Sequence, residues 1–403
     1  MSSISEPVRL GVVGLGRAFM LTLPAFRDPR LRLVAAAAPR PESRAAFEAE
    51  FGGRAHATVE ALAADPEVEA VYVATPHQMH AEHVQLLARA GKHVLVDKPL
   101  AVSLEDADRM VAAAAAGGVQ LIVGPSHSFD APVALARRLI DSGALGRVRM
   151  VQAFNYTDFL YRPRRPEELR TEEGGGVLFS QGVHQVDIVR LLCGGEALQV
   201  SAMTGAWDPA RPTEGAYSAL VSFRGGAFAS LTYSGYAHFD SDIWMDGVGE
   251  LGAKKAPEAY GRARRALEGL DASAEAALKS TRTYGTAGAL PEPGHHEHFG
   301  PVLVLCDRAD LRLTPDGVEI SGDFERRFEP APLIGHPRRT VVDALVAAVR
   351  EGRAPAQTGA WGRASLELCH AILRSADTGA PVPLTRQCRP GATGTPMHEE
   401  IHP

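Results

Sequence analysis

The sequence feature that most constrains the fold is an apolar run that breaks into a glycine turn near the N-terminus. Residues 10–13 are apolar, Gly14-Leu15-Gly16 follows at once, and residues 18–26 have the pattern of a helix. A second apolar run covers residues 31–38. A strand, a glycine turn, a helix and a strand in this order form the first unit of a dinucleotide-binding parallel sheet. The sequence therefore predicts such a sheet at this end of the chain.

The glycine turn also predicts which residues contact a cofactor. Gly14 permits the tight turn, and Gly16 lets the backbone approach a pyrophosphate. The N–H groups of the helix that begins there face the phosphates. The third glycine of the pattern is replaced by Phe19, so the helix and the strand cannot pack as closely there. The predicted cofactor contacts of this turn are Gly14, Leu15, Gly16, Arg17, Ala18 and Phe19.

The end of the second strand bears on the choice between NAD and NADP. A strict NAD binder has Asp or Glu there, which holds the ribose 2′-OH, whereas this chain has Ala38. Arg40 and Arg44 lie just beyond, and a guanidinium suits a 2′-phosphate. Both arginines are predicted cofactor contacts, although ordinary solvated charges remain an open alternative. The sequence thus predicts NAD or NADP as cofactor and favours NADP.

Composition argues against several classes of partner. The chain has 403 residues, of which 45% are hydrophobic and 22% charged, a composition typical of a globular protein with two domains. The formal net charge of −6 argues against nucleic acid or an anionic membrane as a partner. No apolar run reaches membrane-spanning length, and the first residues carry no secretory pattern. The four cysteines are scattered, so we expect free thiols and a cytoplasmic location.

The order of predicted elements divides the chain into two domains. Strands alternate with helices as far as residue 126, which predicts an α/β Rossmann domain with a doubly wound parallel sheet over residues 1–126. Alternating strands joined by glycine turns then predict a C-terminal α+β domain over residues 127–386, with a large, mainly antiparallel open sheet. A helical insertion is predicted at about residues 253–282. Residues 387–403 have no periodicity and are expected to form a poorly ordered tail.

Reactive residues of a parallel sheet lie at the carboxyl ends of its strands. One predicted strand ends in Thr75-Pro76-His77, and the next ends in Asp97-Lys98-Pro99. Lys98 therefore lies at the mouth of the sheet. His77 and His80 are interpreted as cofactor-side residues, although the spacing of His77, His80 and His83 leaves a zinc site as an alternative. The predicted cofactor contacts at these strand ends are Thr75, Pro76, His77, His80, Asp97 and Lys98.

Together these motifs resemble the Gfo/Idh/MocA oxidoreductases, from about residue 8 to about residue 384. The resemblance rests on Gly14-Leu15-Gly16, Ala74-Thr75-Pro76, Asp97-Lys98-Pro99 and the run from Gly182 to Asp187, GVHQVD. It implies an NAD- or NADP-dependent dehydrogenase. It also implies a homodimer or homotetramer that pairs through the open face of the C-terminal sheet.

The resemblance further implies two catalytic residues. The lysine of the family's Glu-Lys-Pro motif corresponds to Lys98, and the family's histidine corresponds to His184. The carboxylate that usually lies four residues before this histidine is replaced by Ser180. His184 therefore becomes the leading general base, and Lys98 stabilises negative charge on the reacting oxygen. A core position for His184 is the alternative.

Several stretches, among them SHSFDAPV and DFLYRPRRPEEL, resemble the branch of phthalate 4,5-cis-dihydrodiol dehydrogenases. This resemblance implies oxidation of a phthalate cis-dihydrodiol to 4,5-dihydroxyphthalate. Arginines suit the substrate's carboxylates, although a solvated basic loop is an equal alternative for each of them. The predicted substrate residues are Arg162, Arg164, Arg165, Tyr156, Tyr161 and His127, and Tyr236 and His238 are weaker candidates.

Two further functions remain open alternatives. A sugar or polyol dehydrogenase of the same family would share the fold, but the absence of a carboxylate at Ser180 counts against it. A non-catalytic nucleotide-binding sensor would not need both Lys98 and His184. The run HHEH at residues 295–298 is interpreted as a solvated loop, since adjacent strand residues face opposite sides. No metal is predicted.

Overall fold

A six-stranded parallel sheet forms the first layer of the protein. The computed structural model describes residues 6–286 and 291–392. The strands are β1 (Val8–Val13), β2 (Leu31–Ala37), β3 (Arg54–His56), β4 (Ala70–Val73), β5 (His93–Val96) and β6 (Leu121–Val123). Their order is β3-β2-β1-β4-β5-β6, and all neighbours are parallel. This is the dinucleotide-binding order that reverses direction at β1, so it leaves a crevice at the carboxyl ends of β1 and β4.

Helices connect these strands, and local sequence determines where several of them begin. They are α1 (Arg17–Phe26), α2 (Pro41–Phe51), α3 (Val59–Ala63), α4 (His80–Arg89) and α5 (Leu104–Ala116). The side chain of Thr58 accepts a hydrogen bond from the N–H of Ala61, and that of Ser103 accepts one from Asp106. Both are N-caps that satisfy an otherwise unpaired donor of the first turn.

The second sheet has nine strands in the order β14-β13-β12-β11-β7-β10-β9-β8-β15. Its strands are β7 (Val148–Tyr156), β8 (Ala197–Gly205), β9 (Ala216–Phe223), β10 (Phe228–Ser234), β11 (Val302–Cys306), β12 (Ala309–Thr314), β13 (Gly317–Gly322), β14 (Arg326–Pro330) and β15 (Val382–Pro383). Only β7 and β10 pair in parallel. The predicted fold class, a parallel Rossmann sheet followed by a mainly antiparallel sheet, is confirmed.

Helices cover one face of the second sheet and leave the other face open. The remaining helices are α6 (Ala131–Asp141), α7 (Val183–Leu192), α8 (Arg262–Leu267), α9 (Ala272–Ser280), α10 (Arg339–Glu351) and α11 (Gly359–Thr378). Along β9, exposed and buried residues alternate, as expected for a sheet with one covered face. Exposed apolar side chains on this sheet include Met203, Leu220, Phe228 and Phe328.

Two late helices return to the first sheet. Val341, Val342 and Leu345 of α10 belong to the same apolar core as Val8 and Leu10 of β1. The N–H of Val123 at the end of β6 donates to the carbonyl of Gln357, just before α11. Residues from the last quarter of the chain therefore complete the N-terminal core. A domain boundary at residue 126 alone does not include this return of the chain to the first domain.

The predicted insertion and residues 387–392 of the predicted tail are packed against the protein. Helices α8 and α9 lie within the insertion, and Glu275 and Lys279 of α9 form ion pairs with Arg211 and Glu168. The expectation of a poorly ordered tail from residue 387 is wrong for residues 387–392, because Gln387 donates to Ala364 and Glu367. Residues 393–403 lie outside the described part.

All four cysteines are free. Within the described residues, no helix combines the length and the apolar composition needed to cross a membrane.

Candidate active site

The glycine turn has the geometry that a pyrophosphate requires. Gly14 has φ +92°, and a Cβ placed there would lie 2.8 Å from the carbonyl oxygen of Ala74, so only glycine fits. Gly16 is the N-cap of α1, and no side chain caps the free N–H groups of this helix. Within the described part of the chain, no carboxylate pairs with Arg17, which faces Arg282 and Arg338 instead. Free N–H groups and an unpaired guanidinium fit the phosphates of a dinucleotide.

Two predicted cofactor residues, Arg40 and Arg44, donate to backbone carbonyls near the glycine turn. Leu15 is buried, and its carbonyl oxygen accepts a hydrogen bond from Arg40 at 3.2 Å. Arg44 donates to the carbonyl oxygens of Ala38 and Pro39, both at 2.8 Å. Both arginines therefore line the end of β2, beside the glycine turn. Both are held by backbone carbonyls, and neither pairs with a carboxylate of the described residues.

Phe19 and Ala18 are less suited to contact a cofactor directly. Phe19 is fully buried, and its ring packs edge-on against Tyr284 at a centroid distance of 5.2 Å. Tyr284 belongs to the segment that follows α9, and its hydroxyl donates to Glu50. Phe19 thus anchors the insertion to the first domain. Ala18 is half-buried, and its carbonyl accepts a bond from the Thr22 hydroxyl.

The ends of β4 and β5 are joined by buried histidines. His80 is fully buried, with its ring nitrogens 2.9 and 3.0 Å from the carbonyl oxygens of Thr75 and Pro99. Both ring nitrogens of His80 therefore contact the backbone at the strand ends, and neither is available to a cofactor in the crevice. His77 donates from Nδ1 to the carbonyl of Gly174, and burial lowers its pKa to about 3. His77 is consequently neutral and joins the two domains. His83 bonds to the Thr75 hydroxyl.

Lys98 lies just beyond β5 and crosses to the second domain. Its Nζ donates to the carbonyl oxygen of Ser180 at 2.7 Å. Burial lowers the pKa of Lys98, while the carboxylates of Asp97 and Glu250 act in the opposite direction. Asp97 accepts from the N–H of Lys98 at 2.8 Å and from the hydroxyl of Tyr72 at 3.3 Å. Lys98 is therefore a fixed ammonium group whose proton is easier to remove than usual.

His184 lies directly after an irregular turn. Residues Leu178–Gly182 form a π-helical turn, a feature that often occurs at functional sites, and α7 begins immediately after it. His184 is buried, and its Nδ1 finds no hydrogen-bond partner among the described residues. Burial and the charges of Lys98 and His127 hold its pKa well below the usual value. A neutral imidazole with an unpaired nitrogen is available as a proton acceptor.

His127 connects His184 to two carboxylates. The two imidazole rings lie 4.6 Å apart between centroids. His127 Nδ1 donates to Asp130 at 2.7 Å, and its Nε2 lies 3.8 Å from a carboxylate oxygen of Glu250. Burial alone would lower the pKa of His127, but these two carboxylates raise it to about 10. His127 is therefore an imidazolium.

Asp130 and Glu250 are site residues that the sequence analysis missed. Asp130 lies three residues after His127, within SHSFDAPV, so its position on the following turn could have been noticed. Glu250 lies in a glycine-rich loop that carries no motif. Burial would raise the pKa of Glu250, but the nearby imidazolium of His127 and the guanidinium of Arg162 hold it well below its usual range.

Asp187, the last residue of the GVHQVD motif, has a structural function that differs from the proposed catalytic function of His184. It is buried and accepts hydrogen bonds from Ser126 at 2.6 Å and Ser128 at 2.5 Å. It also accepts from Trp361 and, at 3.3 Å, from Ser365. Asp187 therefore joins the end of β6 to α7 and α11. Its contacts position His127 and His184 and leave it unavailable to a substrate.

The three predicted substrate arginines are not equivalent. Arg162 is half-buried and lies 3.4 Å from both Glu250 and Asp158. Arg164 is buried, its guanidinium lies 3.5 Å from the centroid of Phe159, and its Nε has no partner among the described residues. Burial lowers the pKa of Arg164 to about 10. Arg165 caps a short helical turn through its backbone N–H, which donates to Glu168. The charge of Arg164 helps to lower the pKa of Lys98, and the charge of Arg162 helps to lower the pKa of Glu250.

The predicted tyrosines do not join this cluster. Tyr156 lies on the open face of the second sheet with Phe154, opposite the face that α7 covers, because side chains alternate along β7. Tyr161 donates to Asp208 and lines a separate surface cavity of about 420 Å³. Tyr236 donates to the carbonyl of Thr213. The buried aromatic ring beside His127 and His184 is instead Phe299, and Tyr233 stacks on Phe299.

The HHEH run is not a solvated loop, because three of its four residues are buried. Glu297 pairs with Arg338 at 2.9 Å, and His298 bonds to the carbonyl of Val248. The ligand atoms of Glu297, His127 and Asp130 lie close enough together to hold a metal ion. However, Glu297 is already bound to Arg338 and Asp130 to His127, so these donors are already paired.

Taken together, the residues can remove a proton from a bound hydroxyl beside a dinucleotide site. Lys98 supplies a positive charge, neutral His184 supplies an acceptor, and the crevice of the Rossmann sheet lies next to both. Arg162 and Arg338 are paired with Glu250 and Glu297, so their charges are largely balanced. The buried guanidinium of Arg164 keeps one donor, Nε, without a partner among the described residues, and a substrate anion could accept a hydrogen bond from it.

Comparisons with known proteins agree with this geometry. Residues 8–125 match the family model described as an oxidoreductase family with an NAD-binding Rossmann fold. Residues 133–253 match the GFO/IDH/MocA C-terminal domain. The 1-carboxy-3-chloro-3,4-dihydroxycyclohexa-1,5-diene dehydrogenase of Comamonas testosteroni is 48% identical over 91% of this chain and 94% of its own length.

Solved structures show the same architecture. A protein of Bordetella bronchiseptica RB50 that is assigned as a dehydrogenase superposes with a TM-score of 0.89 at 40% identity, covering 94% of this chain and all of its own. The WlbA dehydrogenase of Bordetella pertussis, solved with NADH and UDP-GlcNAcA, superposes with a TM-score of 0.69 at 22% identity. It covers 94% of this chain and 99% of its own and supports the fold alone.

Proposed function

This chain belongs to the Gfo/Idh/MocA family of nicotinamide-dependent dehydrogenases, and from that premise we propose that it oxidises a carboxylated cyclohexadiene cis-diol. The product is the corresponding aromatic diol. Phthalate 4,5-cis-dihydrodiol, which gives 4,5-dihydroxyphthalate, is the member of this class that the sequence favours. The Comamonas relative, whose name specifies a carboxylated dihydroxycyclohexadiene, supports the class.

The observation that carries this proposal is the buried guanidinium of Arg164 near Lys98. Its Nε has no partner among the described residues, and Arg162 lies two residues earlier with its own guanidinium half-buried. An unpaired buried donor costs free energy unless a ligand satisfies it. A substrate carboxylate would satisfy it and would be attracted by the surrounding charges.

The residues around the reacting hydroxyl have complementary tasks. When bound, the nicotinamide ring supplies the acceptor for the hydride that leaves the hydroxyl-bearing carbon. Lys98 lowers the pKa of that hydroxyl and stabilises the negative charge that develops on its oxygen. His184 takes the hydroxyl proton, since its lowered pKa keeps it neutral. The hydroxyketone that results tautomerises to the aromatic diol, which favours product formation.

The cofactor proposal is NAD or NADP, with NADP favoured. Arg40 and Arg44 lie at the end of β2, where a strict NAD binder would place a carboxylate, and this chain has Ala38 there. Replacing Arg40 by Ala should raise the KM for NADP and leave the KM for NAD unchanged. Equal effects on both cofactors would contradict the NADP preference.

Initial rates with four substrates test the proposed reaction. Purified protein is assayed with each cofactor and with phthalate 4,5-cis-dihydrodiol, a benzoate cis-dihydrodiol, benzene cis-dihydrodiol and myo-inositol. We expect reduction of the cofactor with the two carboxylated diols and much slower reduction with the uncharged diol. Turnover of myo-inositol alone would replace the proposal by a polyol dehydrogenase.

A matched pair of lysine variants tests the catalytic assignment. Lys98→Ala should lower kcat by about 10²–10⁴-fold, which is the usual contribution of such a group. Lys92→Ala is the control, because Lys92 also donates to two backbone carbonyls but precedes β5 at its opposite end. Unchanged turnover in Lys98→Ala, with normal cofactor binding, would refute the mechanism.

The open face of the second sheet supports a proposed homodimer or homotetramer. Leu220 and Phe228 lie exposed on neighbouring strands, and no helix among residues 6–286 and 291–392 covers the face that carries them. Large exposed apolar surfaces usually mark interfaces. Leu220→Arg should therefore reduce the mass measured by light scattering, and an unchanged mass would argue against this face as the interface.

A further inference from the structure

The pair formed by His127 and Glu250 has no task in the mechanism described above. We propose that these two side chains together bind the second hydroxyl of the diol, the one that is not oxidised. This inference rests on the proposed function and deepens it, because it explains why the substrate would have to be a diol.

An oxygen atom placed to one side of the two groups could lie at hydrogen-bond distance from both of them. His127 Nδ1 is occupied by Asp130 at 2.7 Å, so its Nε2–H is the remaining donor. That Nε2 lies 3.8 Å from Glu250, an ion-pair distance that is too long for a hydrogen bond. A hydroxyl oxygen could accept from Nε2–H and donate its own proton to the carboxylate, with both bonds of ordinary length.

The charges of the pair suit a neutral hydroxyl. His127 is cationic and Glu250 anionic, so one is a strong donor and the other accepts only. A second carboxylate placed here would be repelled by Glu250. A hydroxyl, which is both donor and acceptor, completes two charge-assisted hydrogen bonds.

The location fits a hydroxyl on the neighbouring carbon. The His127 ring is in contact with the His184 ring, which serves the reacting hydroxyl. The charge of Glu250 acts to raise the pKa of Lys98, so Glu250 lies near the same proposed substrate site. Two hydroxyls on adjacent carbons would therefore reach the two histidines at once.

Glu250 is held in place by contacts that do not involve Oε1, the carboxylate oxygen nearest His127. Arg162 lies 3.4 Å from Oε2, whereas Oε1 is the atom nearest His127. The backbone carbonyl of Glu250 accepts a hydrogen bond from His298. One carboxylate oxygen thus remains for the substrate.

Binding of product-like acids tests the inference without turnover. Calorimetric titrations in the presence of oxidised cofactor compare 3,4-dihydroxybenzoate with 3-hydroxybenzoate and 4-hydroxybenzoate. We expect wild-type protein to bind the dihydroxy acid at least about tenfold more tightly than either monohydroxy acid. Glu250→Gln should bring this ratio close to one.

A matched control separates this function from a general loss of charge. Glu69 has the same exposed side-chain fraction as Glu250, 23%, and also pairs with arginines, but it lies at the opposite end of the first sheet. Glu69→Gln should keep the wild-type ratio. The wild-type titrations remain decisive even if Glu250→Gln fails to fold.

The outcomes distinguish this inference from the proposed function. Equal binding of the three acids by wild-type protein that oxidises the carboxylated diol would overturn the hydroxyl site alone. An unchanged ratio in folded Glu250→Gln would do the same. Absence of both binding and turnover would overturn the proposed function as well.

Discussion

Replacing Asp187 by Ala should destabilise the protein strongly although the residue lies outside the substrate site. Its carboxylate accepts four hydrogen bonds, from Ser126, Ser128, Trp361 and Ser365. Bonds to a charged acceptor contribute about 1.5–3 kcal/mol each, but they are not additive. The three serine hydroxyls can rotate to other acceptors, whereas the buried indole N–H cannot.

These considerations give a loss of about 3–5 kcal/mol in the free energy of unfolding, comparable to breaking a buried ion pair. Asp187→Asn keeps the shape and one acceptor oxygen, so its loss should be only about 1–2 kcal/mol. A domain is usually stable by about 5–15 kcal/mol, so the alanine variant should remain folded but be clearly less stable.

Urea unfolding at neutral pH, followed by far-UV circular dichroism, measures these differences. Asp141→Ala is the control, because Asp141 pairs with Arg137 on the surface and such pairs contribute less than about 1 kcal/mol. The reasoning would be refuted if Asp187→Ala unfolded at the same urea concentration as Asp141→Ala. That result would mean that the four contacts do not join β6, α7 and α11.

Two further changes have expected outcomes. Gly14→Ala should abolish cofactor binding, measured by the fluorescence of the reduced nicotinamide, because the new Cβ would meet the carbonyl of Ala74 at a residue with φ +92°; normal binding would show that the turn relaxes. Arg54 lowers the pKa of Asp65 to about 2, so the Asp65 carboxylate stabilises the folded state above about pH 4. This contribution disappears as the pH falls through 2. Asp65→Asn should therefore unfold at lower urea than wild type at pH 7, and a difference that persisted at pH 2 would contradict this assignment.

The parts of the fold that follow from local patterns were predictable from the sequence. The glycine turn at Gly14 and the strand just before Lys98 have short-range signals, because turns and buried strands depend on neighbouring residues. The position of α10 on the first sheet has no such signal. An apolar helix face shows that a helix is buried but not which sheet it covers.

The same limit applies to the candidate site. Lys98 and His184 lie in recognisable motifs, and the fold brings Lys98 to the π-helical turn just before His184. Glu250 comes from a loop without periodicity, and Tyr156 was misplaced because an aromatic residue in a strand can face either side of its sheet. The tertiary structure alone determines which side chains meet across the two domains.

The return of α10 to the first sheet affects the order in which this protein can fold during synthesis. All six strands of that sheet have been made by residue 123, yet Val341, Val342 and Leu345 emerge much later. Until then the apolar surface of β1 and α1 remains uncovered on the nascent chain, where exposed apolar surface promotes aggregation. The Rossmann domain is thus a product of the finished chain, and a fragment that ends before α10 would lack part of its own core.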